Sequence, residues 1–152
     1  MSEWIPNNEW KTIVSNVPIV SVDLLVQYKN GILLGKRVNE PAKGHWFMPG
    51  GRVQKGETRS EAVHRIAEEE LGLKVQIVES LGTFEHFYQK SDVDEIKTKH
   101  YLANGFVVDV LDGDPQPDDQ HSDLRVFHSI PTPQHEYLRE YFANSDTLTD
   151  WL

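Results

Sequence analysis

Gly51 to Leu73 reads GRVQKGETRSEAVHRIAEEELGL, and the fold turns on its second half. Thr58-Arg59-Ser60-Glu61 is a capping box: the threonine side chain accepts from the Glu61 backbone, and the Glu61 carboxylate reaches back to the threonine N–H. The spacing predicts a helix over Arg59–Leu71, with Gly72 placed to end it in the left-handed conformation that glycine tolerates. At about 100° per residue, Arg59, Val63, Ile66, Ala67 and Glu70 share one stripe, with Leu71 at its margin. Glu70 is thereby expected at the middle of the face that should be buried. A lone buried carboxylate costs several kcal/mol unless it is paired or binds a cation. Glu69 stands about 100° round the helix, so two carboxylates share one region, which favours a divalent ion between them and an opposing ligand. The plainer alternative is that Glu68-Glu69-Glu70 is a solvated run with Arg59 snorkelling.

Outward from this helix, the remaining pattern is mixed. Asn7 to Val14 reads as a short helix capped by an asparagine, and Ile19 to Tyr28 as an aliphatic strand. Lys29-Asn30-Gly31 signals a hairpin, because a type I′ turn needs positive φ. Ile32-Leu33-Leu34 is the returning strand, and a loop from Arg37 to Trp46 leads through Phe47-Met48 to Pro49-Gly50-Gly51. Downstream of the helix, Lys74–Tyr88 and Lys99–Val110 read as strands joined by a polar loop. Leu111 to Asp123 reads as a loop, Leu124 to His128 as a short strand, and Gln134 to Asn144 as a terminal helix. This order predicts an α/β fold, layered α/β/α around a mixed β-sheet, in one domain over residues 1–152.

Composition excludes several classes. The 152 residues include no cysteine, which removes disulfide scaffolds, thiolate metal sites and cysteine nucleophiles. No apolar run reaches the length that spans a bilayer, and the N-terminus lacks a signal-peptide pattern, so no membrane partner and a cytoplasmic location are expected. A net charge of −9 argues against nucleic acid as a partner. The charge is uneven, however. From Lys36 to Lys55 five basic residues face one acid, a local excess compatible with a small anionic substrate.

Gly51, Glu57, Arg65, Glu69, Glu70 and Gly72 stand in the spacing Gly-x5-Glu-x7-Arg-x3-Glu-Glu-x-Gly. The segment resembles the signature of the Nudix hydrolases. One position departs: where the family usually has a glutamate after the arginine, this chain has Ile66. That departure, with the blocks PIVSVDLLV, LLGKRVNEPAKGHWFMPGGRVQKGET, FEHFY, KHYL and PDDQHSDLRVF, makes the chain similar to the GDP-mannose mannosyl hydrolase branch. The resemblance implies hydrolysis of a GDP-hexose (mannose, or also glucose) at the anomeric carbon, giving GDP and free sugar. An ordinary pyrophosphohydrolase attacking phosphorus, or a silent nucleotide-binding module, are the competing readings.

The resemblance also implies roles. It puts one Mg²⁺, replaceable by Mn²⁺, on the Gly50 carbonyl, Glu70 and Gln120, all hard oxygen donors. It makes Arg37 and Arg52 the diphosphate clamps, whose forked donors suit phosphate. His121, next to Gln120, is the implied base for the attacking water. Asp23, an acid within an apolar strand, is similar to a sugar- or cation-stabilising carboxylate; a strand acid at the sheet surface is the alternative. Tyr101 and His86 match sugar or phosphate contacts, or are packed aromatics. Glu57, Arg65 and Glu69 are read as supports, with an Arg65–Glu69 ion pair at i,i+4. Trp4, Trp10, Trp46 and Phe47 are read as core or interface packing, with guanine stacking by one of them as the alternative, and a homodimer is expected through the resemblance alone.

Overall fold

The computed structural model describes residues 5–115 and 121–151, excluding the side chains of His121 and Ser122. Within them run α1 (Asn7–Asn16), β1 (Ile19–Tyr28), β2 (Gly31–Arg37), β3 (Trp46–Phe47), β4 (Gly50–Arg52), α2 (Arg59–Leu71), β5 (Lys74–Tyr88), β6 (Lys99–Asp112), β7 (His121–Phe127), α3 (Glu136–Ala143) and a 3₁₀ turn at Thr149–Trp151. The strands form one mixed sheet in the order β3-β2-β1-β6-β5, with β4 also pairing β1 and β7 pairing β2. β1 and β6 are parallel and the other pairs antiparallel. Among the described residues no helix is long and apolar enough to cross a membrane.

Alternation along β1 sorts the layers, because successive side chains leave opposite faces of a strand. Val22, Leu24 and Val26 join Ala62, Val63, Ile66, Ala67 and Leu71 of α2 in one core cluster. Leu25 joins Leu138, Tyr141 and Phe142 of α3 on the other face, and Ile19 joins Val14 of α1 there. The result is the expected α/β/α layering. The capping box and the Gly72 stop are both present: Thr58 accepts from the Glu61 N–H, and Gly72 has φ 69°.

Four expectations shift. Pro6, not an asparagine, precedes the first turn of α1, and no side chain caps it. In the hairpin, the positive φ values fall on Lys29 (49°) and Asn30 (64°), while Gly31 starts β2. β7 begins at His121, three residues before the apolar signal at Leu124, because backbone pairing to Arg37 of β2 needs no apolar side chain. α3 is shorter than the predicted helix, starting only after His135, whose ring nitrogen accepts the Tyr137 N–H.

The edge of β1 changes partner partway along. Ser21, Val22 and Asp23 face Arg52, Gly51 and Gly50 of β4, whereas Val26, Gln27 and Tyr28 face β2. Asp23 therefore stands where the sheet edge divides, and the candidate site opens there.

Candidate active site

A cavity of about 470 Å³ opens on the α1/α3 side of the sheet. Asp23, Arg37, Gly50, Arg52, His86 and Tyr101 all line it. Six side chains or carbonyls singled out in the sequence, spread over five strands, thus share one space. Of the basic stretch, Lys36, Lys43 and Lys55 are exposed, and the two arginines face the cavity.

Asp23 is the acid of this space. The Tyr141 hydroxyl donates to its Oδ2 at 2.7 Å, across 118 residues of chain. Burial pushes the Asp23 carboxyl up to about 6, against the lowering effects of the Tyr141 bond and the Arg37 charge. It is mostly ionised at neutral pH. Gly50 lies directly opposite, where any Cβ would run into the Asp23 carboxylate and the Val22 carbonyl. Gly105, on β6 opposite Asp23, leaves room for the Tyr141 ring; an added Cβ would sit 2.7 Å from its Cδ1.

The two arginines are held by the chain itself. Arg37 Nε donates to the Pro41 carbonyl at 2.9 Å, bending the loop over the cavity. The Arg52 guanidinium lies 5.9 Å from the centre of the Trp10 ring. Both arginines line the cavity, and forked guanidinium donors suit an anion.

His86 is 1 % exposed, stacked on Tyr137 at 3.9 Å, with Nε2 3.1 Å from Glu140. Burial, then the nearby His135, lowers its pKa to about 4. His135 is lowered to about 4 by burial and His45. Both rings are neutral in the fold at pH 7. Their folded pKa lies below the unfolded value near 6.5, so the unfolded chain binds more protons and stability is lost as pH falls from about 6.5 towards about 4. Asp23 and Glu140, both raised by burial, gain protons in the fold and oppose the trend, whereas Glu57 and Glu79, both lowered, reinforce it as pH falls. A melting temperature lower at about pH 5 than at about pH 7 is expected, and His86→Gln should flatten the slope.

Arg65 organises the segment after the glycines. Its Nε and Nη2 bind the Glu57 carboxylate at 2.6 and 3.0 Å, Nη2 binds the Arg52 carbonyl at 2.8 Å, and Nη1 reaches Glu69 at 3.5 Å. The Arg65 bond holds the Glu57 carboxyl below its ordinary range. Glu57 also accepts from the Gln54 N–H, closing the loop that starts α2. Arg65, Glu57 and Glu69 do not line the cavity; they set the position of Arg52, which does.

Glu70 is half-buried, not at the centre of the buried face. The fully buried positions of α2 are Ala62, Val63, Ile66, Ala67 and Leu71, so the buried stripe is centred one step round from Glu70. Arg59, expected on the same stripe, is exposed and sends its guanidinium to Asn104 at 3.2 Å. Among the described residues, no three His, Asp or Glu side chains converge as a metal cluster. Gln120 lies outside the described residues, as does the side chain of His121, whose backbone pairs with Arg37.

The donors that remain do fit a hard cation. Leu24 N–H bonds Pro49 O and Val53 N–H bonds Val20 O, so by antiparallel alternation the carbonyls of Gly50 and Arg52 both turn away from β1. The Arg52 carbonyl meets Arg65 of α2, and that of Gly50 lies on the same edge, with the carboxylate of Glu70 further along the helix. Carbonyl and carboxylate oxygens suit Mg²⁺.

Sequence reading missed Tyr141, which no motif marked, and Asp92 and Lys99 of the cavity wall; Trp10 and Phe47, named there as aromatics for packing or stacking, line the cavity as well. The one signal for Lys99 is a lysine opening an otherwise apolar strand.

A family model described as the NUDIX domain matches residues 17–151. The chain is 53% identical over 142 residues to the low-salt glycan biosynthesis protein Agl8 of Haloferax volcanii, covering 93% of this chain and 91% of that protein. It is 36% identical over 110 residues to an ADP-ribose pyrophosphatase of Methanocaldococcus jannaschii, covering 72% and 62%. The structure is similar to a MutT NUDIX hydrolase of Burkholderia pseudomallei, with a TM-score of 0.67 and 28% identity over 82% of this chain and 95% of that one. Spacing, fold and these likenesses agree: the chain belongs to the Nudix family of hydrolases.

Proposed function

We propose that this protein hydrolyses a GDP-hexose, GDP-mannose or also GDP-glucose, by substitution at the anomeric carbon, releasing GDP and free sugar. One observation carries this reading. Asp23 shares a cavity with Arg37, Arg52 and Gly50, while Ile66 is packed beneath Gly51 where the family pattern has a carboxylate. Fewer acids at the metal leave a single-ion site, replaceable by Mn²⁺, held by Gly50, Glu70 and Gln120. When bound, the ion would help neutralise the diphosphate as it leaves. Arg37 and Arg52 clamp the same oxygens. Asp23, ionised at neutral pH, supports the positive charge that develops at a departing sugar carbon. Water forms a bond to that carbon, the carbon–oxygen bond breaks, and its electron pair stays on the phosphate; His121 is assigned the water's proton.

The printed name of the Haloferax relative, a glycan biosynthesis protein, supports a sugar-bearing substrate. The Methanocaldococcus relative supports the second reading, pyrophosphate cleavage of another nucleoside diphosphate derivative. A product assay over a panel of nucleotide sugars separates them. GDP with free hexose is expected, whereas GMP with sugar phosphate establishes the second reading. By the resemblance we also propose a homodimer, and the net charge of −9 supports a small-molecule partner over a nucleic acid.

A further inference from the structure

The cavity changes character along β1. Ile19 faces Tyr101, Ser21 faces Arg52 and Asp23 faces Gly50, each step of two residues being about 6.6 Å. Arg52 therefore lies between two ends. Asp23 and Gly50 mark one. Trp10 from α1, Tyr101, and the pair Asp92–Lys99 mark the other. α1 lies before the segment that the family model matches, so this wall is built partly from outside it.

The Lys99–Asp92 pair is unusual for its place. Lys99 is 7 % exposed, beside the apolar cluster of Val14, Ile19 and Val93. Its Nζ lies 2.7 Å from Asp92 Oδ1 and 5.7 Å from the Tyr101 ring centre. The Asp92 side chain is 40 % exposed. Burying an ammonium costs desolvation, which Asp92 and a hydrogen bond to the Tyr101 side chain more than offset, so the charge is held at the cavity wall. Together Lys99 and Asp92 present complementary groups to a ligand edge: a carboxylate only accepts and an ammonium only donates.

We propose that this end of the cavity is a nucleobase subsite selective for guanine. Trp10 and Tyr101 supply aromatic faces, Asp92 accepts from the base N1–H and 2-amino group, and Lys99 donates to O6. Adenine presents the opposite pattern on the same edge, an amino donor at C6 and an acceptor at N1, so it would set donor against Lys99 and acceptor against Asp92. A base at this end puts the diphosphate at Arg52 and the sugar at Asp23. The inference rests on reading the cavity as a nucleoside diphosphate site, but not on where the substrate is cleaved.

Titration calorimetry of the intact protein with GDP, ADP and XDP, which needs no turnover, tests it. GDP is expected to bind more tightly than ADP and XDP by about tenfold or more. Asp92→Asn should reverse the order of GDP and XDP, since an amide donates to the xanthine 2-oxo group and still accepts from N1–H. A merely structural ion pair would not move that ratio. Should Asp92→Asn fail to fold, the wild-type series still decides. Equal affinity for GDP and ADP, or an Asp92→Asn variant that weakens GDP and XDP alike, would overturn the subsite. Selective GDP binding without cleavage of any GDP-sugar would support the subsite and remove the reaction proposed above. Cleavage of GDP-mannose with no base preference would do the reverse.

Discussion

Glu70→Gln is expected to abolish activation by Mg²⁺, lowering kcat/KM at a fixed metal concentration by more than about a hundredfold. Glutamine keeps the shape and an oxygen donor but removes the negative charge. A single-carboxylate site has no other protein charge to offer the ion, so the loss falls on metal affinity. Glu70 is half-buried near the end of α2, outside the packed centre, so the variant should keep its melting temperature. Rates measured across a Mg²⁺ titration check this; an unchanged metal dependence would remove Glu70 from the site. Ile66 is 1 % exposed and touches Gly51, so the position that carries an acid in the family pattern is here part of the core.

Arg65→Met should have the largest structural effect. It breaks contacts to Glu57, Glu69 and the Arg52 carbonyl at once. The side chains of Arg65 and Glu57 are only 17 % and 13 % exposed, so methionine leaves a carboxylate half out of water without its partner. A loss of about 2–4 kcal/mol follows from removing one member of such a pair. For a domain of this size that lowers the melting temperature by roughly 5–15 °C. Activity should fall as well, through Arg52, because the backbone that carries this clamp loses its anchor. Glu57→Gln keeps neutral hydrogen bonds and should cost less. Thermal melting of the two variants is the check, and equal melting temperatures would refute the ordering.

Legibility differed with the range of the interaction. The Thr58–Glu61 box, the Gly72 stop and the Arg65–Glu69 pair are set within one helix, where spacing determines contact. β1 was legible because a run rich in β-branched and aliphatic residues, closed by the Asn30-Gly31 turn signal, has few other solutions. Glu70 shows the limit. The helix wheel put Arg59 and Glu70 on the buried stripe and Leu71 at its margin, whereas Leu71 is fully buried and Arg59 exposed, because the wheel does not show which neighbours pack against the helix. Tyr141 was not legible at all, since its bond to Asp23 spans most of the chain. The same holds for Lys99 and Asp92, a pair whose meeting with Trp10 depends on α1 packing across the sheet from its own position in sequence. In β7, backbone pairing extended the strand beyond the residues that advertise it.

GDP and free hexose arise whether water attacks the sugar carbon or the adjoining phosphorus, so product identity alone leaves the chemistry of Asp23 undecided. Hydrolysis of GDP-mannose in ¹⁸O-enriched water, followed by mass spectrometry of both products, decides it. Attack at the anomeric carbon places the label in the sugar and leaves GDP unlabelled. Label in the phosphate of the nucleotide product would contradict it.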